Sequence, residues 1–284
     1  MVKEPLVTII TPVRNEIKYL DDCINSVLNQ SYSNIEQIFV DAVSTDGTLE
    51  SLSRYKEKYP GRIRFISEPD NGVGEALNKG LRIAKGDIFG WLDTDGEYEP
   101  DAISTIVDFF KRNPKANVVL GGHNAIDQDG KIIGRLLPSP VIDLKGLING
   151  TCCVPFVAFY RRGIIEKAGY FNPLGNGLDM WLRIVKITKV YPINKVLLND
   201  KLRSTNVDFG KSPAQKKVRR RRWREDIVLC RKNGAGIFST HVRRVSIFLV
   251  MDSLGLYTLI APKVLRWARR SSIVNSVVRK FIGY

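Results

Sequence analysis

The chain has 284 residues, 44% hydrophobic and 26% charged, which excludes a disordered or low-complexity protein and allows a sizeable core. Four Cys and two His support neither a disulfide scaffold nor a His-rich metal site, so reduced thiols and a cytosolic compartment are expected. The net charge of +15 falls wholly in residues 211–284, where 18 Lys and Arg face only Glu225, Asp226 and Asp252, so this tail should meet an anionic partner while residues 1–210 are neutral.

Leu6–Ile10 is too short an apolar run for a signal peptide. Val7–Ile10, closed by Thr11-Pro12, reads as a buried strand. Tyr19–Leu28 spaces Leu20, Cys23, Ile24, Val27 and Leu28 as a helix. Ile35–Val40 is a second strand, ended by Asp41. Ser44–Gly47 is a turn, with Asp46 capping a helix over Thr48–Tyr59. Ile63–Ser67 is a strand, Gly74–Ala84 a helix, and Ile88–Leu92 another strand. A helix from Pro100 to about Arg112 and a strand over Ala116–Leu120 follow. Residues 121–150 read as loops and short strands around the turn Asp129-Gly130. Phe156–Tyr160 is a strand, Ile164–Gly169 a short helix, Leu178–Thr188 a longer one, and Lys211–Arg231 a basic helix before the hinge Gly234–Gly236.

Strands alternating with helices predict a mostly parallel sheet flanked by helices, with right-handed crossovers. Such sheets bind ligands at the carboxyl ends of their strands. The polar clusters sit there: Thr11–Glu16, Asp41–Thr48, Glu68–Gly74 and Asp93–Gly96. No Gly-x-Gly-x-x-Gly follows the first strand and no P-loop sequence occurs. Asp93-Thr94-Asp95 places two carboxylates at the end of a buried strand. They suit Mg or Mn, or else form a solvated acidic turn with Glu97 and Glu99.

Several segments together resemble the inverting family 2 glycosyltransferases. They are Val7–Glu16, Ser26–Tyr32, Val40–Thr48, Asp70-Asn71-Gly72, Asn78-Lys79-Gly80 and Asp93-Thr94-Asp95, in the family's order over roughly residues 5–205. The resemblance implies a GT-A fold and a nucleotide-sugar donor carrying UDP or GDP. Thr11, Pro12, Val13 and Glu16 would line the nucleotide. Asp41 would approach the base, although Ala42 and Val43 replace the acid and glycine usual after it. Lys79 would meet phosphate charge, or is a solvated surface lysine. Asp93 would lie nearer the ribose, Thr94 would also bind the nucleotide sugar, and Asp95 would contact Mn or Mg, although Gly96 stands where a further Asp is common. An inverting transfer also needs a carboxylate base. The segment Asn176–Arg183 matches the family's, but its commonest base position is Gly177. Asp179, the sole acid between Glu166 and Asp200, is the candidate, against a first-turn Asp favoured by the helix dipole. Met180, Trp181, Leu182, Ile184, Val185 and Trp91 read as core. Cys152-Cys153 reads as packed near the acceptor cleft, and His123 as a loop residue rather than a ligand.

The tail holds Lys216–Arg224, then Val245–Pro262 with one charge, Asp252. That run is at the lower limit for a membrane span, and Asp252 at its middle would cost roughly 2.5–3.5 kcal/mol. An interfacial anchor on an anionic membrane surface is expected, with a helical subdomain as the alternative and no nucleic acid, since no nucleic-acid module is present. The organisation expected is residues 1–100 for the nucleotide-sugar half, 101–206 for the acceptor half and 207–284 for the basic extension. The function implied is transfer of a sugar to a glycan or polyprenyl-linked acceptor at the inner face of the cell membrane, in cell-surface polysaccharide biosynthesis. The alternative, suggested by Gly96 and Gly177, is a catalytically impaired binding or scaffolding protein. The sequence fixes no oligomeric state.

Overall fold

β-Branched runs separated by amphipathic stretches give strictly alternating elements in the first part of the chain: β1 (Val7–Val13), α1 (Ile17–Leu28), β2 (Ile35–Asp41), α2 (Thr48–Lys58), β3 (Ile63–Ser67), α3 (Val73–Ile83) and β4 (Ile88–Trp91). The computed structural model describes residues 4–152, 154, 157–173, 177–201 and 213–236, with 246, 249 and 252. After β4 come β5 (Gly96–Tyr98), α4 (Ala102–Arg112), β6 (Val118–Ile126), β7 (Ile132–Leu136), α5 (Leu144–Asn149), β8 (Ala158–Arg161), α6 (Arg162–Ala168), α7 (Leu178–Ile187), β9 (Val190–Lys201) and α8 (Pro213–Lys232).

One sheet takes the strands in the order β3-β2-β1-β4-β8-β6-β9-β5, with β7 added on β6. The first four strands are parallel, as their helical crossovers require. β8 then runs antiparallel to β4 and β6, and β5 antiparallel to β9. The second half of the sheet is therefore mixed. β2 is buried along its whole length between helices on both faces. One apolar cluster joins Val7, Ile9 and Ile88 to α4 through Ile103, Ile106 and Phe110. Another joins Leu20 and Ile24 of α1 to Phe39, Leu52 and Ile63.

Residues 121–150 contain the short strands expected around Asp129-Gly130, β6 running through His123 to Ile126 and β7 pairing with it; the helix α5, its first turn closed by the Gly146 amide donating to Asp143 at 2.6 Å, was not expected. β6 is buried on both faces, so its sequence carries no polar alternation to betray it. β9 was hidden for another reason: Pro192, Asn194 and Lys195 interrupt its apolar residues. His123 is thus a strand residue, 4% exposed. Phe156, Asn176, Cys153 and the stretch 202–210 lie outside the described residues.

The chain divides into two units. One comprises Met1–Pro140 with Val154–Lys201 and carries the sheet; the other comprises Val141–Cys153 with Leu202–Tyr284 and carries α5 and α8. Within the second unit Cys152 is half-buried beside Gly146. Asp252 there is 1% exposed, and its carboxylate accepts from Arg220 of α8 at 2.5 Å. Among the described residues no helix is long and apolar enough to cross a membrane. Apart from residues 246, 249 and 252, the run 245–262 lies outside the described residues.

Candidate active site

β2 and β3 lie on one side of β1, and β4 on the other. Strand order therefore reverses between the parallel neighbours β1 and β4, and a parallel sheet opens a ligand crevice at the carboxyl ends of its strands beside such a point. Ile10 pairs with Trp91, and the Leu92 amide donates to the Ile10 carbonyl at 3.0 Å. Thr11–Val13 and Asp93–Asp95 therefore leave the sheet side by side.

The loop after β1 is braced by the loop after β2. Thr11 is fully buried and its hydroxyl accepts from Gln37 at 3.0 Å. Pro12 is half-buried and Val13 pairs with Asp41. Asn15 takes a left-handed φ of 55°; its amide donates to Ser44 at 2.8 Å and its carboxamide accepts from the Thr45 amide at 2.8 Å. The Glu16 amide, opening α1, donates to the Thr48 hydroxyl at 3.1 Å. Asp46 accepts from the Ile17 amide at 3.1 Å and from the Thr48 amide and hydroxyl at 3.1 and 2.6 Å. It thereby closes the first turns of both α1 and α2, although Gly47 occupies the N-cap position of α2. Burial opposes its charge, but these hydrogen bonds outweigh burial and hold the carboxyl below its usual range.

Asp41 is fully buried at the end of β2. Its carboxylate accepts from the Ser44 amide at 3.0 Å, the Ser44 hydroxyl, and the Ser67 hydroxyl at 2.6 Å. It organises the β2–α2 loop, and in that loop Val43 is held at φ 57° with its side chain 48% exposed. A β-branched residue in the left-handed region is strained. That conformation explains why glycine suits the position in the resembled pattern. Lys79 of α3 is 13% exposed; its ammonium donates to the Pro69 carbonyl at 2.6 Å and pairs with Glu68 and Glu75 at 3.1 and 3.6 Å.

The acidic segment forms a tight turn: the Gly96 amide donates to the Asp93 carbonyl at 2.9 Å, and the Lys201 amide to the Asp95 carbonyl at 2.9 Å. Asp93 is exposed, Thr94 buried and Asp95 half-buried. Burial, with the negative charges of Asp93 and Asp95, pushes the Cys23 thiol well above its usual range. Both carboxylates therefore act on one locality. Two hard oxygen donors on one turn fit a small divalent cation that keeps water and diphosphate oxygens as its other ligands. Among the described residues no group of three or more His, Cys, Asp and Glu comes together as a metal cage. A further acid at Gly96 would require neighbours to shift: a Cβ there would lie 2.8 Å from Leu92 Cδ1 and 3.1 Å from Leu198 Cδ1.

Asp179 lies in the first turn of α7, 28% exposed, paired with Arg183 at 2.8 Å. Arg183 also donates to the Ala168 carbonyl, and to the Tyr170 carbonyl at 2.8 Å. Gly177 opens the helix at φ 88°, with nothing within 4 Å of a built Cβ. Met180, Leu182 and Ile184 are buried as expected, whereas Trp91, Trp181 and Val185 are half-buried. Trp91 stacks on Tyr160 with ring centroids 5.5 Å apart, and Tyr160 lies 5.9 Å from Trp181. Strand register thus sets Thr11–Val13 beside both Asp41 and the Asp93–Asp95 turn, with Glu16 tied to the β2–α2 loop, while Lys79 is engaged on the β3–α3 side. Sequence reasoning missed Gln37, Ser44, Ser67 and Arg183. Gln37 was detectable as a polar residue inside a buried run, and Arg183 as a cation four residues after Asp179 on one helix.

A sequence model of glycosyl transferase family 2 matches residues 8–169. The chain is 32% identical over 214 residues to a chondroitin synthase of Escherichia coli, covering 75% of this chain and 31% of that protein. It is 29% identical over 215 residues to a hyaluronan synthase of Pasteurella multocida, covering 75% and 22%. The match thus spans about a third or less of these relatives' length. Among solved structures, a mannosyltransferase of Pyrobaculum calidifontis in complex with GDP-Man and Mn2+ aligns with a TM-score of 0.60 at 18% identity, over 98% of this chain and 79% of that one. S. aureus TarS 1-349 in complex with UDP-GlcNAc aligns with a TM-score of 0.58 at 17% identity, over 86% and 71%. At such identities the likeness concerns fold alone, and the fold is GT-A.

Proposed function

The chain belongs to glycosyl transferase family 2, and from that premise we propose that it is an inverting glycosyltransferase moving a sugar from a UDP- or GDP-sugar to a glycan or polyprenyl-linked acceptor. The observation that carries this reading is the convergence of the loop after β1 and the acidic turn after β4 at the point where the strand order of the sheet reverses. Two solved neighbours carry UDP-GlcNAc and GDP-Man, which motivates the donor class.

In this reading Thr11, Pro12, Val13 and Glu16 line the nucleotide. Asp41 fixes the wall against which its base lies, and Lys79 supplies positive charge on the phosphate side. Asp93 and Thr94 face the ribose, and Asp95, with Asp93, would hold Mn or Mg. When bound, the cation neutralises charge on the departing diphosphate as a Lewis acid. The Asp179 carboxylate takes the proton of the acceptor hydroxyl as its oxygen attacks the anomeric carbon from the face opposite the diphosphate. The C–O bond to the nucleoside diphosphate then breaks with inversion. Charge of +15 in residues 211–284 draws the enzyme to the inner face of the cell membrane, where a polysaccharide precursor grows.

A screen of nucleotide sugars for donor turnover, with Mn and with a chelator, tests the proposal. Turnover that needs the metal and is lost in Asp95→Asn, with thermal unfolding unchanged, is expected. Nucleotide-sugar binding with no turnover under any metal would favour the scaffolding reading, for which the Asp179–Arg183 pair is the motivating observation.

A further inference from the structure

Among the α8 side chains whose burial is described, the exposed ones, Lys217, Arg221, Arg224, Val228, Arg231 and Lys232, follow a spacing of four, three, four, three and one. At 100° per residue they fall within about 100° of arc, a single stripe. Asp226, 6% exposed, and Cys230, fully buried, lie across the helix from that stripe. The stripe therefore carries five cations and one aliphatic residue over roughly 22 Å of helix. Glu225 approaches Arg221 at 3.7 Å, with both side chains more than a third exposed, so the pair screens the stripe only weakly.

Asp252 supplies a second observation. It is buried, its carboxylate bonded to Arg220 Nε and its carbonyl accepting from Arg220 Nη2 at 2.7 Å. A carboxylate engaged in this way within its own unit is not available to enter lipid, and inserting the chain around it would strip Asp252 of its partner.

We infer that α8 lies flat on an anionic membrane surface through this cationic stripe, and that the contact is electrostatic rather than inserted. The inference rests on the membrane placement proposed above and deepens it by naming the surface and the mode. A row of exposed cations along one face of a helix matches a plane of lipid phosphates; an anionic polysaccharide chain would call for a concave groove to surround it. Each Lys or Arg near such a leaflet is worth roughly fivefold in partitioning.

The test is co-sedimentation of the full chain with vesicles of phosphatidylcholine alone and of phosphatidylcholine with phosphatidylglycerol. Binding to the anionic vesicles only, abolished at high salt, is expected. The triple variant Lys217→Gln/Arg221→Gln/Arg224→Gln should bind on the order of a hundredfold more weakly, with unchanged thermal unfolding because all three side chains are exposed. Failure of the unaltered chain to bind anionic vesicles would overturn the membrane placement itself. Binding of the triple variant equal to that of the unaltered chain would overturn the stripe while leaving that placement intact. Binding that survives high salt would overturn the electrostatic mode. Loss of retention on an immobilised anionic polysaccharide, with vesicle binding retained, would assign the stripe to a glycan instead.

Discussion

Replacing Asp179 by Asn separates chemistry from stability, because the structure bounds what the fold can lose. The Asp179–Arg183 pair spans four residues of α7, at 2.8 Å, with about a third of each side chain exposed. Such a helical pair contributes about 0.3–0.5 kcal/mol. Loss of a first-turn negative charge removes about 0.3–1 kcal/mol more of helix-dipole stabilisation. Arg183 keeps its bonds to the Ala168 and Tyr170 carbonyls. The total is about 1 kcal/mol, which leaves a domain of ordinary stability folded. A missing general base lowers turnover by about 10²–10⁴-fold, equivalent to roughly 3–5 kcal/mol in the barrier. The assay pairs urea unfolding with initial rates at saturating donor, and a donor-affinity measurement. Turnover down at least a hundredfold, donor affinity unchanged and unfolding lowered by about 1 kcal/mol are expected. Turnover within threefold of the original would refute Asp179 as the base. Collapse of donor affinity would make it a structural residue.

Four further outcomes follow from local geometry. Val43→Gly relieves a left-handed β-branched residue worth about 1–2 kcal/mol, against about 0.5–1 kcal/mol of added unfolded-state entropy; a rise of up to about 1 kcal/mol in urea unfolding is expected. Gly96→Ala forces a Cβ against Leu92, Leu198 and the Asp93 carbonyl, and should lower stability by about 1–3 kcal/mol in the same assay. The Tyr160 hydroxyl is buried without a hydrogen-bond partner, so Tyr160→Phe should raise stability by about 1 kcal/mol; a lower melting temperature would show that the hydroxyl has a role. Burial lowers His123 to a pKa of about 4, whereas the unfolded chain protonates it near 6.5. The unfolded state then binds more protons between these values, so stability is full above pH 7 and falls by about 2 kcal/mol by pH 5; His123→Asn should flatten that slope in unfolding measured at both pH values.

The half of the sheet formed by β1–β4 was legible because its physics is local. Val7–Ile10, Ile35–Val40 and Ile88–Leu92 are short apolar runs closed by turn residues, and their crossover helices carry clean periodicity. The polar clusters at their carboxyl ends then mark the candidate site without any tertiary information. The second half resisted because its strands are defined by partners. β9 holds its place by pairing with β6 and β5, and Pro192, Asn194 and Lys195 obscure it locally. Asp41 shows the same limit within the site. Its type and place were readable, but its commitment to Ser44 and Ser67 depends on β3 lying alongside β2. The pairing of Asp252 with Arg220 joins residues 32 apart in the chain, which no periodicity announces.

The aromatic residues read as core have a second consequence for the site. Trp91 ends β4 two residues before Asp93, and Trp181 follows Asp179 by two residues on α7. Tyr160 of β8 lies between them, stacked on Trp91 at 17° and tilted 40° to Trp181. Phe171 closes the stack edge-on to Trp91 at 5.5 Å, and its backbone is held at both amide and carbonyl by Asn78 of α3, at 2.8 and 2.9 Å. The candidate metal turn and the candidate base helix are therefore coupled through rigid rings with few rotatable bonds, rather than through the loops that carry the carboxylates. A transfer reaction is sensitive to the separation of its base and its leaving group. In this chain the acidic turn and α7 are joined by side chains whose sequence signature is indistinguishable from ordinary packing.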